Sequence, residues 1–277
     1  MIKHKIEVFI NTHPRFKKIF NILNKFWGDD VFGLSAELTF YLTASFFPFV
    51  ILLLALISIT PLSAEDTLFK LLAALPREVY DVIIYVLTGV NRSTGIIITS
   101  SVIALWSVSC AASTINKALN RMYKTVESRN FIVIRSIGFL FAILLAVTIV
   151  LTFFLIVFGN LIGMAIMRFL PSFYVVWHAL RLIITYLIVI TAFATIYKIL
   201  PNEHLSYKNV IWGSLFTTFL WGCASLLFSF YVDNFSKYHI IYGGLAGILV
   251  LMTWLYMSSF IFMTGGEINA IIHLNKK

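Results

Sequence analysis

Long apolar stretches, broken at intervals by short charged segments, organise this chain from end to end. A helix needs about 20 apolar residues to cross a hydrocarbon core, and six stretches meet or approach that length. They predict transmembrane helices at 34–60, 93–116, 136–162, 178–200, 209–232 and 242–270. The third lies in an uncharged run that continues to Met167, long enough to tilt. The fourth is short between its charges and reaches full length if Arg181 snorkels at one interface. The expected fold is therefore an all-α polytopic membrane protein, a single membrane domain over residues 1–277. Residues 1–33 precede the first helix, and 117–135 form a basic loop. The first apolar run is too long and too far from Met1 for a cleaved signal peptide, and it reads as a retained span.

Residues 61–92 are not a plain loop. Ser63, Glu65 and Asp66 make a helix start with acids in the first turn. Leu68, Leu71, Leu72 and Leu75 then recur at helical spacing up to Pro76, and Val79, Val82, Ile83, Val86 and Val90 continue a second apolar face. Both pieces are too short to span. They are expected to be amphipathic helices covering the outer end of the bundle or lying in the interface.

Composition agrees with the pattern. Hydrophobic residues make up 60% of the 277 and charged residues only 12%, against about 25% charged in a soluble domain. So little charge cannot coat a water-facing surface of this size, which argues against a soluble enzyme. Aromatic residues at 16% exclude disorder. The net charge of +9 bears on orientation: 15 of the 21 Lys and Arg fall in segments that share one side if the spans alternate. By the positive-inside rule both termini are then cytoplasmic. Nucleic acid is not an expected partner, because the basic residues lie between spans and form no soluble face. Cys110 and Cys223 lie within apolar stretches and define no disulfide framework.

Catalytic signatures are missing. The six histidines are scattered singly, so each reads as an interfacial or loop side chain, and no metal or other cofactor is expected. No phosphate-binding glycine loop or nucleophile elbow occurs. Acids within spans are more informative, since each costs at least about 2.5–3.5 kcal/mol at mid-helix. Glu37 and Glu267 both fall toward the cytoplasmic side, with Lys117, Arg121, Arg129 and Arg135 on that side too. They fit first an ion-pair network that fixes helix packing, because acids close to a helix end reach water more cheaply than acids at the centre. Second comes a proton or cation relay, or a polar pocket open to the cytoplasm. Lys117, Arg121 and Lys124 would share one helical face. Such a face holds anionic lipid head groups at about 1 kcal/mol per charge, or simply orients the chain. Pro48 is expected to kink the first helix. The pairs Gly159/Gly163 and Gly243/Gly247 have the spacing that permits close helix contact.

Four blocks in order carry a family resemblance, from about Trp27 to Ala270. They are SAELTFYLTASFFP from Ser35 to Pro48; Trp106, then NKALNRMY from Asn116 to Tyr123 and Glu127-Ser-Arg129; YKILPN from Tyr197 to Asn202 with Trp212-Gly-Ser214; and Tyr242 to Ala246, Trp254-Leu-Tyr256 and GGEINA from Gly265 to Ala270. Together they resemble the YihY/virulence factor BrkB family of bacterial inner-membrane proteins. The resemblance implies six helices in the cytoplasmic membrane and adds Asn120 and Asn269, within matched motifs, to Glu37, Arg121, Arg129 and Glu267 as candidates for a polar pocket or lipid site. It also implies membrane lipids as partners and a role in the envelope. A transporter or flippase-like protein for an envelope lipid or amphiphile is the first expectation, a structural or assembly factor the second. Ribonuclease, a label the family once carried, is the third.

Overall fold

The computed structural model describes residues 24–59, 94–169, 174–235 and 245–276. These residues are all helical between turns, with no strand among them. A helical turn at 24–28 leads into six helices: α1 (Val31–Ile59), α2 (Thr94–Tyr123), α3 (Phe131–Phe169), α4 (Tyr174–Ile199), α5 (Tyr207–Phe235) and α6 (Leu245–Leu274). Each of the six apolar stretches of the sequence lies along one of them. Ser101–Tyr123, Val175–Ile199, Tyr207–Val232 and Gly247–Leu274 are long and apolar enough to cross a membrane, while shorter apolar lengths are described for α1 (Val31–Phe46) and α3 (Phe131–Leu145). Pro48 sits inside α1. The expected amphipathic helices at 61–92 lie outside the described residues, as does Gly243.

Hydroxyls within these helices return their hydrogen bonds to their own backbone. Ser35 donates to the Val31 carbonyl at 2.6 Å, Thr39 to Ser35 at 2.7 Å and Thr43 to Thr39 at 2.8 Å. An apolar surrounding cannot satisfy polar groups, so this satisfaction within the helix is what lets Ser and Thr occupy a span. Large side chains meanwhile face outward without cover, among them Trp106, Phe219, Leu226 and Leu227. Lipid, not water, is the solvent that suits such a surface.

Close contacts depend on small residues. A Cβ at Gly265 would strike the Thr217 hydroxyl, and one at Gly213 would strike the Gly265 carbonyl, so α5 and α6 meet backbone to backbone. Gly159 and Gly163 of α3 face Arg181 and Trp177 of α4, and Trp177 Nε1 donates to the Gly159 carbonyl at 2.8 Å. The described core gathers Leu119, Met122, Ile196, Tyr197 and Met263 from α2, α4 and α6. It lies toward the end of the bundle where α2, α4 and α6 finish and α1, α3 and α5 begin.

The basic segment differs from a plain loop. Helix α2 runs on to Tyr123, past residue 116, and stops where Lys124 adopts a positive φ of 57°. Thr125 N bonds to the Asn120 carbonyl at 2.9 Å and Lys124 N to Arg121 at 3.1 Å, a Schellman ending built on a lysine. Lys117 and Arg121 therefore share a helical face, but Lys124 leaves it, because the left-handed residue turns the chain away. Asp30 makes the matching turn between residues 24–28 and α1.

Candidate functional site

Three polar groupings occupy that one end of the bundle. The innermost is ionic. Glu267 of α6 is fully buried, and Lys25, from the helical turn before α1, pairs with its Oε1. Lys25 also bonds Asp29 at 2.9 Å and the Met122 carbonyl at 3.2 Å. The lysine thus ties the chain ahead of α1 to the ends of α2 and α6. Nearby on α6, Asn269 is buried and accepts from Gly213 N at 2.7 Å. His273 bonds Asn209 at 3.2 Å and Glu203 at 3.3 Å. His273 is buried and bonded inside the bundle end, contrary to its expected loop or interfacial position, because one helical turn beyond Asn269 it still faces α5.

The second grouping is a closed knot between two loops. Arg129 forks onto Glu127 with Nε at 2.8 Å and Nη2 at 2.8 Å, and it also caps the end of α4 through the Leu200 carbonyl at 2.7 Å. Glu127 Oε2 further accepts from Asn116 at 2.7 Å and Asn120 at 2.9 Å. Asn120 Oδ1 receives Asn202 N at 2.6 Å, and Asn202 Nδ2 reaches back to Ser128 Oγ at 2.9 Å. The Arg129 guanidinium bonded to Glu127 holds its carboxyl down at about 2, against the opposing pull of burial. Such a network fixes geometry and leaves little to offer a ligand.

The third grouping is open. A hollow of about 550 Å³ lies between the end of α2 and the start of α3, lined by Asn116, Lys117, Arg121, Phe131 and Arg135 among others. Lys117 pairs with Glu37 at 3.2 Å, and Thr114 donates to the other Glu37 oxygen at 3.0 Å. Arg121 donates to the Gly28 carbonyl at 2.7 Å and stands 4.0 Å from Asp30. Arg135 reaches Ser109 Oγ at 3.0 Å and lies over the rings of Trp106 (4.8 Å) and Phe131 (5.1 Å).

The six candidate residues therefore divide among these groupings. Arg121 and Asn120 border the hollow, with Glu37 beside it through Lys117. Arg129 belongs to the knot, and Glu267 and Asn269 to the buried interior. Glu267 and Arg121 form no pair: Glu267 turns inward to Lys25, and Arg121 lies on the surface of α2. Lys25, Glu127, Asn202 and Arg135 complete the groupings; the sequence marks Arg135 only as one of the nearby basic residues and Glu127 and Asn202 only as members of the family blocks. The i, i+4 pair Asn116/Asn120 within one apolar helix was the available signal for the knot; Lys25 had none, being 242 residues from its partner. Among the described residues no group of three or more His, Cys, Asp or Glu could hold a metal ion.

Comparison with known proteins adds a lineage to this geometry. A family model described as Virulence factor BrkB matches residues 22–277. Ribonuclease-like protein YfkH of Bacillus subtilis is 37% identical over 248 residues, covering 88% of this chain and 90% of that protein. A UPF0761 membrane protein of Pseudoalteromonas atlantica is 25% identical over 166 residues, 58% of this chain and 53% of that protein. Another from Tolumonas auensis is 33% identical over 90 residues, 32% of this chain and 30% of that protein. No solved structure matches the chain.

Proposed function

The chain belongs to the virulence factor BrkB family and is a multipass protein of the bacterial cytoplasmic membrane, and from that premise we propose that it is a non-enzymatic transporter or flippase-like protein handling an anionic envelope lipid or amphiphile. One observation carries the reading. The hollow between α2 and α3 is lined by Lys117, Arg121 and Arg135 and opens beside exposed apolar side chains such as Trp106 and Phe131. Cations gathered next to a lipid-facing surface suit a charged head group with an apolar body.

In this reading all six helices cross the bilayer with both termini in the cytoplasm, as the distribution of basic residues favours. The hollow then faces the cytoplasmic leaflet. Single cysteines test the orientation: Lys124→Cys and Lys276→Cys are shielded from an impermeant thiol reagent in intact cells, and Asp66→Cys is labelled. The reverse pattern overturns it.

Translocation is tested in proteoliposomes carrying fluorescent phosphatidylglycerol, with a membrane-impermeant quencher reporting leaflet exchange. Exchange faster than in protein-free vesicles, slowed by Arg121→Ala, is expected. Exchange no faster than in protein-free vesicles, with or without a proton gradient, argues for the second reading, a structural or assembly factor. That alternative draws support from Glu267, which is wholly buried in an ion pair and does not line the hollow. Ribonuclease enters only through names: the label the family once carried and that of the Bacillus subtilis relative. Purified protein is expected to show no nuclease turnover with or without divalent metal, and turnover abolished by His204→Ala or His273→Ala would refute this.

A further inference from the structure

Among the cations at the hollow, Arg135 stands apart. Lys117 has Glu37 and Arg121 has Asp30, while the lining acid Glu127 is taken by Arg129 of the knot. Among the described residues no carboxylate lies within ion-pair distance of Arg135. It is part-buried, and its protein partners are one hydroxyl, the Cys110 sulfur at 3.7 Å and two aromatic faces. Ring faces and a neutral hydroxyl attract a guanidinium but do not neutralise it. A cation withdrawn from water without a counter-charge is costly, so its retention beside an open hollow points to an anion supplied from outside the chain.

Both hydrogen bonds of Arg135 to the protein leave from Nη1. The Nε–Nη2 edge is left over, and that edge matches the paired oxygens of a phosphate or carboxylate. Charge counting at the lining bears on the anion's charge. Of the three cations that line the hollow, Lys117 and Arg121 pair with Glu37 and Asp30, and the lining acid Glu127 is taken by Arg129. One lining cation, Arg135, remains. The approach is set by the flanks, since Trp106, Phe131 and Ile132 are all well exposed apolar side chains and a Trp favours head-group level in a bilayer.

We infer that Arg135 anchors the phosphodiester of a singly charged anionic lipid, which enters the hollow from the bilayer side. This deepens the reading of the hollow as a lipid site and rests on it. The inference differs from orientation by positive charge alone, because it assigns the affinity to one guanidinium edge and not to the number of basic residues.

Native mass spectrometry of the full-length protein in detergent tests it, with phosphatidylglycerol, phosphatidate, phosphatidylcholine, glycerol phosphate and inorganic phosphate as separate probes. One phosphatidylglycerol is expected to stay bound in preference to phosphatidylcholine, with phosphatidate no tighter and neither soluble phosphate retained. Arg135→Gln is expected to lower the affinity about tenfold or more, the effect of losing a charge-assisted hydrogen bond. Arg135→Lys, which keeps the charge without the fork, restores it only in part, while Arg121→Gln changes it far less. Equal losses in Arg121→Gln and Arg135→Gln, or a marked preference for doubly charged phosphatidate, overturn the anchor while leaving a lipid site. Retention of glycerol phosphate as firm as that of the lipid overturns entry from the bilayer. No preference for phosphatidylglycerol over phosphatidylcholine removes the lipid reading itself. The probe series on wild-type protein decides these last outcomes even if a variant fails to fold.

Discussion

Arg129 and Arg135 leave the same short basic segment and meet opposite fates. Arg129 is consumed: its guanidinium forks onto Glu127, reaches Asn116 at 2.8 Å and caps α4. Arg135 stands on the first turns of α3, beside the hollow, with no acid among the described residues. Sequence proximity and equal charge do not give equal roles. What decides is whether carboxylates and carbonyls complete the fork. A completed fork locks two loops together, and an incomplete one keeps a charge available to a ligand. The buried Lys25–Glu267 pair belongs with the first kind.

If this division is right, the largest effects come from opening the closed side. Lys25→Met leaves the fully buried Glu267 without its cation, and removing one partner of a buried pair costs about 3–5 kcal/mol. The check is the melting temperature in a zwitterionic detergent. The double change Lys25→Met with Glu267→Gln is expected to recover much of the loss, and a double variant no better than the single one breaks the account of that pair.

Next comes the knot. Glu127→Gln weakens charge-assisted bonds to Arg129, at about 1.5–3 kcal/mol for such contacts. Its pH dependence has a definite sign. The folded-state carboxyl is held at about 2, below its ordinary 4.5, so the stabilisation is fully present above about 4.5 and is lost as pH falls toward 2. The melting-temperature gap between wild type and Glu127→Gln should hold steady from neutral pH to about 5 and narrow below it. A gap that widens on acidification contradicts this.

Much of this fold was legible beforehand, for one reason: hydropathy acts locally, so long, mostly uncharged apolar runs fall along α1 to α6. The polar end was legible only in part. Glu37 and Glu267 stood out because a charge in an apolar run is costly, yet the partner of Glu267 sits 242 residues away in an otherwise ordinary basic segment. Arg121 drew attention through helical spacing, whereas Arg135 looked like one more orienting charge. Its distinction is that no acid among the described residues pairs with it, which shows only once the neighbouring helices are in place. His273 looked solitary for the same reason, since Asn209 and Glu203 reach it from other elements.

The smallest effect is expected at Lys117. Its side chain and that of Glu37 are 65% and 37% exposed, and exposed pairs contribute about 0–1 kcal/mol. Lys117→Gln should leave the melting temperature nearly unchanged and loosen anionic lipid only slightly. A loss as large as that of Glu127→Gln would erase the contrast between exposed and enclosed pairs.

The central claim, that one arginine holds the protein and the other holds a ligand, meets its most direct test in a four-way thermal measurement. Arg129→Gln and Arg135→Gln are each melted in nanodiscs of phosphatidylcholine and in nanodiscs containing phosphatidylglycerol, beside wild type. The account predicts that Arg129→Gln melts lower in both lipids while keeping the stabilisation conferred by phosphatidylglycerol. Arg135→Gln should match wild type in phosphatidylcholine and lose that stabilisation alone. If Arg135→Gln instead falls equally in both lipids, as Arg129→Gln does, the two arginines share one structural role and the claim is wrong.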